Sequence, residues 1–136
     1  MTPNLNPLPR AKRLLCLWLG YWLALFIVMH VPASSLRPLR FNYADKIIHL
    51  VLYFLLAWLG GRYFFVAGRA VSIAKLVAFA GIYGLYAAFE EWSQKFVGRT
   101  MSLGDWLTDA VGILLATLLL ALQRRSNTDP GPGRRV

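Results

Sequence analysis

The sequence predicts an all-α, polytopic membrane protein built as a bundle of four transmembrane helices. Two observations carry that prediction. The first is composition: 57% of the 136 residues are hydrophobic and 15% are charged, against about 45–50% and about 25% in soluble domains. One domain of this size could not shelter so many apolar side chains from water. The second is arrangement, because the apolar residues are gathered into four blocks. Each approaches the roughly 20 residues that a helix needs to cross the hydrocarbon core. Backbone groups in lipid must pair within their own segment, so the blocks read as helices and not strands.

The first block runs from Leu14 to Val31, "LLCLWLGYWLALFIVMHV". Basic residues precede it and the small residues of "VPASS" follow, as in a signal peptide. Its eighteen residues exceed the usual apolar core of about 7–15, which favours a retained span. The second block is Ile47 to Val66, interrupted late by Gly60, Gly61 and Arg62. The third runs from Ile73 to about Trp92, and the fourth from Trp106 to Leu122. The short connection around "AGRAVS" makes the second and third helices antiparallel neighbours. Residues 1–13 form an N-terminal segment, 14–122 the membrane domain and 123–136 a tail. The proline-rich residues 1–9 read as an unstructured lead-in, and the turn-rich tail from Ser126 reads as disordered.

A net charge of +9 would suggest nucleic acid in a soluble protein, but its distribution argues otherwise. With the N-terminus inside, Arg10, Lys12, Arg13, Arg62, Arg69, Lys75, Arg124, Arg125, Arg134 and Arg135 share one face with Asp129 alone. On the other face Arg37, Arg40, Lys46, Lys95 and Arg99 are balanced by Asp45, Glu90, Glu91, Asp105 and Asp109. That asymmetry places both termini in the cytoplasm, and nucleic-acid binding drops out. The single cysteine, Cys16, gives no intramolecular disulfide.

Polar residues recur at helical spacing at one end of three helices. Asp45, His49 and Tyr53 stand four apart in "DKIIHLVLY" and share a face. Asp45 suits a helix N-terminus, Lys46 snorkels and Tyr53 fits an interfacial belt. His49 lies a turn inside the apolar run and faces a cavity or a partner. Tyr83, Tyr86, Glu90 and Gln94 form a second stripe, beside a seam of Gly84, Ala87, Ala88 and Glu91 suited to close helix contact. Glu90 opposes the dipole of its helix and is a functional candidate. Glu91, about 100° further round, faces water or a lipid amine. In "SLGDWLTDAVG", Ser102 caps the fourth helix, while Asp105, Asp109, Gly112 and Ala116 share a stripe. A carboxylate as deep as Asp109 needs a partner, of which His49, Lys46 and Arg99 are available, so it points inward. The stripes converge on one side of the membrane. A network that merely locks the bundle is the structural alternative.

These motifs resemble the VanZ-like family of small bacterial membrane proteins. "DKIIHLVLY" matches its Asp-Lys-x-x-His-x-x-x-Tyr helix opening. Glu90, Gln94, Arg99, Ser102, Asp105, Asp109 and Gly112 match its Glu-x-x-x-Gln, arginine, serine and Asp-x-x-x-Asn-or-Asp-x-x-Gly series. The resemblance covers about residues 14 to 122. Asp109 stands where the family more often has asparagine, and "FVGR" lacks a proline often found before the arginine. The resemblance implies the bacterial inner (cytoplasmic) membrane and a link to glycopeptide (teicoplanin) susceptibility, without defining a reaction.

The leading expectation is an outward-facing site that binds or modifies an envelope lipid or other amphiphile. Asp45, Lys46, Tyr53, Gln94, Arg99, Ser102 and Asp105 are its binding candidates, and Arg99 suits an anionic headgroup, with Arg37 and Arg40 beside it. The alternative is an intramembrane acid-base or metal-dependent enzyme. His49, Glu90 and Asp109 are then the catalytic candidates, with Asp45 orienting His49. The sequence names no cofactor, and a single histidine in the polar stripes, without metalloenzyme spacing, assigns no metal. A structural or accessory role is the third expectation.

Overall fold

A computed structural model describes residues 7–32, 42–65 and 72–128. Four helices make the fold: α1 (Pro7–Met29), α2 (Asn42–Phe65), α3 (Ile73–Ser93) and α4 (Leu103–Thr128). A 3-10 turn, Gln94–Val97, follows α3. All four helices are long and apolar enough to cross a membrane, so the chain is an all-α, multi-pass membrane bundle. Arg37, Arg40 and the tail from 129 onward lie outside the described residues.

The helices run beyond the apolar blocks that announce them. α1 begins at Pro7, inside the expected lead-in. Proline suits a first turn because its missing N–H would have had no helical partner there. α4 continues through polar residues to Thr128, past the expected end of the domain at Leu122. Ser72 caps α3, its hydroxyl accepting from the Lys75 N–H at 3.3 Å. Ser102 caps α4 as its sequence context predicts, accepting from the Asp105 N–H at 3.3 Å. Gly98 takes φ +75°, where a Cβ is strained, and so turns the chain between α3 and α4.

Packing inverts the simplest expectation from loop length. α2 packs most extensively on α4, not on α3; α1 packs on α2 and α3 on α4. The reason lies in small residues, which let backbones approach where lipid supplies no hydrophobic drive. A Cβ on Gly112 would collide with the Leu50 carbonyl oxygen of α2 and stand 3.0 Å from the Phe54 nitrogen. A Cβ on Gly61 would meet Leu120. Ala57 and Ala116 are fully buried. The parallel pair α2 and α4 therefore forms the centre, leaving α1 and α3 on its flanks. α2 and α3 meet through rings, Phe65 tilted against Phe79 at 5.6 Å between centroids and Tyr53 against Tyr86 at 6.4 Å. The outward faces are apolar: Leu17, Ile47, Val77, Leu85 and Leu118 are more than half exposed, as side chains facing lipid must be.

Between the flanking helices the contact is sparse. Trp22 of α1 meets Tyr86 of α3 edge-on at 5.1 Å. Nearer the α3–α4 connection, His30 just after α1 reaches Ser93 Oγ at 2.8 Å. Elsewhere the seam opens into a cleft of about 460 Å³, lined among others by Trp18, Trp22, Phe64, Phe79, Tyr83 and Tyr86.

Candidate functional site

Six polar or charged residues are buried in the described bundle: His49, Glu90, Glu91, Ser93, Gln94 and Asp109. All lie at the end of the bundle that carries the α1–α2 and α3–α4 connections. The converging stripes of the sequence are thus brought together, by α2 entering, α3 leaving and α4 entering the same level.

The centre is a pair. His49 Nδ1 lies 3.0 Å from Asp109 Oδ1, with side-chain exposures of 3% and 1%. With Asp109 as the carboxylate, the Nδ1–H of His49 donates. Of the three partners open to Asp109, the structure chooses His49. Gly112, one turn along α4, sets that contact by letting α4 lie directly against the Leu50 carbonyl. Asp45, expected to orient the imidazole, makes no hydrogen bond to it among those of the described residues; Asp109 takes that place. Lys46 does not merely snorkel. Its ammonium binds Asp105 Oδ1 at 3.0 Å in a partly exposed pair that closes the rim of the site.

Glu91 departs furthest from expectation. It is 4% exposed and faces neither water nor lipid. Its Oε1 accepts from the Ser102 N–H at 2.7 Å, and its Oε2 accepts from Gln94 Nε2 at 3.3 Å. The carboxylate thereby satisfies a backbone donor in the α3–α4 connection and fixes how α4 enters. Its sequence neighbour Glu90 is 1% exposed, and its Oε1 has no hydrogen-bond partner. An unsatisfied buried acceptor costs about 1–3 kcal/mol, and more when charged. Tyr53 lies in the core, not an interfacial belt: it is 1% exposed, with a hydroxyl that also lacks a partner.

Arg99 is half-buried and donates from Nη1 to the Met29 carbonyl at 3.2 Å. That bond satisfies one of the orphan carbonyls at the end of α1 and uses one of five guanidinium donors. Two residues of this end carried no sequence signal strong enough to single them out. His30 donates Nδ1–H to its own helix at the Phe26 carbonyl, 2.8 Å away, and reaches Ser93 with Nε2. Ser93 Oγ in turn lies 2.7 Å from the Glu90 carbonyl. A histidine ending an apolar run was the available sign; its partner more than sixty residues away was not readable. Trp106 joins α4 to α3, donating to the Gly84 carbonyl at 3.2 Å.

What the arrangement defines is a class: a small multi-pass membrane protein with a buried, acid-rich polar cluster at one end and an aromatic cleft along one seam. No family model, no curated protein and no solved structure matches the chain. The VanZ-like resemblance therefore stands on the quoted residues alone.

Proposed function

We propose that this is a VanZ-like membrane protein that holds a long-chain envelope amphiphile along the α1–α3 seam. Its polar head lies at the acid-rich end and its chain in the aromatic cleft. The proposal puts that end at the outer face of the bacterial inner membrane, with both termini cytoplasmic, since this orientation leaves the excess of basic residues inside. A link to glycopeptide susceptibility is part of the proposal through the resemblance only.

The observation that carries it is the cleft. A seam between two membrane helices that is lined by aromatics, about 460 Å³ in size, suits the concave, mostly apolar form of ligand sites. It ends at Tyr86, one turn from Glu90, and begins at Lys75. Fifteen residues of helix separate Glu90 from Lys75, about 22 Å at the usual rise. One leaflet of hydrocarbon is about 15 Å, so a chain filling the seam from the polar end passes the bilayer midplane. Arg99 keeps guanidinium donors beyond the one held by Met29 and supplies the positive charge for an anionic head.

The test is photo-crosslinking in bacterial membranes with amphiphiles carrying a diazirine near the chain end. The proposal expects labelled peptides containing Phe79 or Tyr83. Labelling spread evenly over lipid-facing residues such as Leu17 and Leu118 would refute it.

A further inference from the structure

The buried cluster has a charge problem that the bundle's own cations do not solve. Glu90, Glu91 and Asp109 are each at most 4% exposed, and among the described residues His49 is the one basic side chain buried with them. Lys46 is held by Asp105 and Arg99 by the Met29 carbonyl, both nearer the rim. With all three carboxylates ionised, the cluster carries an excess of negative charge even with the ring doubly protonated. Isolated charge of that kind is far too costly in a low-dielectric interior to stand uncompensated, so it is met either by protons or by a cation.

We infer that His49, Asp109 and Glu91, with Glu90 beside them, form a site for a divalent cation of the Mn²⁺ or Zn²⁺ type. One donor atom from each of His49, Glu91 and Asp109 lies within 4.8 Å of the others. Nitrogen and oxygen ligands sit about 2.0–2.2 Å from such an ion, so two of them stand about 3.0–3.4 Å apart. His49 Nδ1 and Asp109 Oδ1, 3.0 Å apart across a hydrogen bond, keep that spacing when an ion displaces the shared proton. The second observation is independent of that grouping: the Glu90 Oε1 atom, in a side chain 1% exposed and next to Glu91 in the chain, has no hydrogen-bond partner. It is the donor left over for a ligand that the protein does not itself provide. Glu91 is already oriented from behind by Gln94 and the Ser102 N–H, the outer-shell support that ligating carboxylates usually have. Imidazole among carboxylates favours Mn²⁺ or Zn²⁺ over Mg²⁺ and Ca²⁺.

A neighbouring group, Asp45, His49 and Asp105, is also close-set. It is the poorer candidate, because the Lys46 ammonium already sits 3.0 Å from Asp105 and would repel a cation. The inference stands whether or not an amphiphile occupies the cleft.

The experiment uses the full chain in detergent, stripped with EDTA and then titrated with MnCl₂, ZnCl₂ or MgCl₂. Bound metal is read by elemental analysis after desalting, and melting temperature by tryptophan fluorescence. The parent is expected to retain stoichiometric Mn²⁺ or Zn²⁺ and to melt several degrees higher with it, while Mg²⁺ does neither. Glu90→Gln, which keeps size and shape, is expected to fold and to bind at least about tenfold more weakly; Asp109→Asn is expected to lose binding. No retained metal and no metal-dependent melting shift in the parent would overturn the inference. So would Glu90→Gln binding as tightly as the parent, and protonated carboxylates would then account for the buried charge.

Discussion

Gly112→Ala adds a single methyl group and is expected to damage both the fold and the polar cluster. The new Cβ would overlap the Leu50 carbonyl oxygen and lie 3.0 Å from the Phe54 nitrogen and 3.3 Å from the Leu50 carbonyl carbon. These are backbone atoms of a packed helix, so no side-chain rotation relieves the overlap. α2 and α4 must separate by about 1 Å to restore ordinary contact. Asp109 lies three residues before Gly112 on the same face, so the shift carries the 3.0 Å His49–Asp109 contact toward 4 Å, beyond hydrogen-bonding range. Overpacking alone costs about 1–3 kcal/mol, and disrupting a buried ionic pair about 3–5 kcal/mol. The two share one displacement and do not add, so the expected loss is about 3–5 kcal/mol. Gly81→Ala is the control: open space surrounds its Cβ position, and alanine favours the helix by about 1 kcal/mol. The assay is reversible unfolding in mixed micelles followed by tryptophan fluorescence. Equal stability of Gly112→Ala and the parent would refute the claim that the α2–α4 backbone contact organises the site.

Three further expectations follow from the same geometry. Asp109→Ala strands a buried imidazole and is expected to cost about 3–5 kcal/mol, whereas Asp105→Ala, opposite a Lys46 side chain that is 43% exposed, is expected to cost under about 1 kcal/mol. Chemical denaturation of the two variants side by side checks the order, which similar losses would contradict. His30→Ala removes the hydrogen-bonded link from α1 to Ser93 and is expected to cost about 1 kcal/mol. Hydrogen exchange should then rise at the end of α1 and not in α2, and uniform protection would contradict the link. Ser102→Ala removes the α4 cap and is expected to cost about 1 kcal/mol. Because the Ser102 N–H to Glu91 bond survives that change, Glu91→Ala should cost more, and calorimetric melting of both variants tests the ranking.

The helices were legible because membrane insertion writes itself into composition: long apolar runs such as Leu14 to Val31 leave few alternatives. The inward turn of Asp109 was legible for the same reason, since a deep carboxylate must find a partner. Neighbour choice was not. A short connection suggested that α2 lies against α3, but Gly112 and Gly61 admit α4 more closely, and close approach is decided between distant segments. Glu91 shows the same limit. Helical position alone turns it toward the outside, while its burial depends on a chain reversal at Gly98 that brings the Ser102 N–H over it. The ends of the helices were hidden by polarity, because residues 123–128 have no apolar signature yet continue α4 beyond the expected span. His30 and Ser93 meet across a gap of sixty-three residues, which no local pattern records.

The central claim, that the polar end and the cleft together hold an amphiphile, is tested most directly by mass spectrometry of what the protein carries out of the membrane. The parent, Arg99→Gln and Tyr86→Ala would be purified in parallel in a mild detergent, with melting curves confirming the folded state. The account predicts one enriched class of long-chain amphiphile with the parent, reduced in Arg99→Gln through its head and in Tyr86→Ala through its chain. A lipid profile identical to the bulk membrane in all three folded proteins would contradict it.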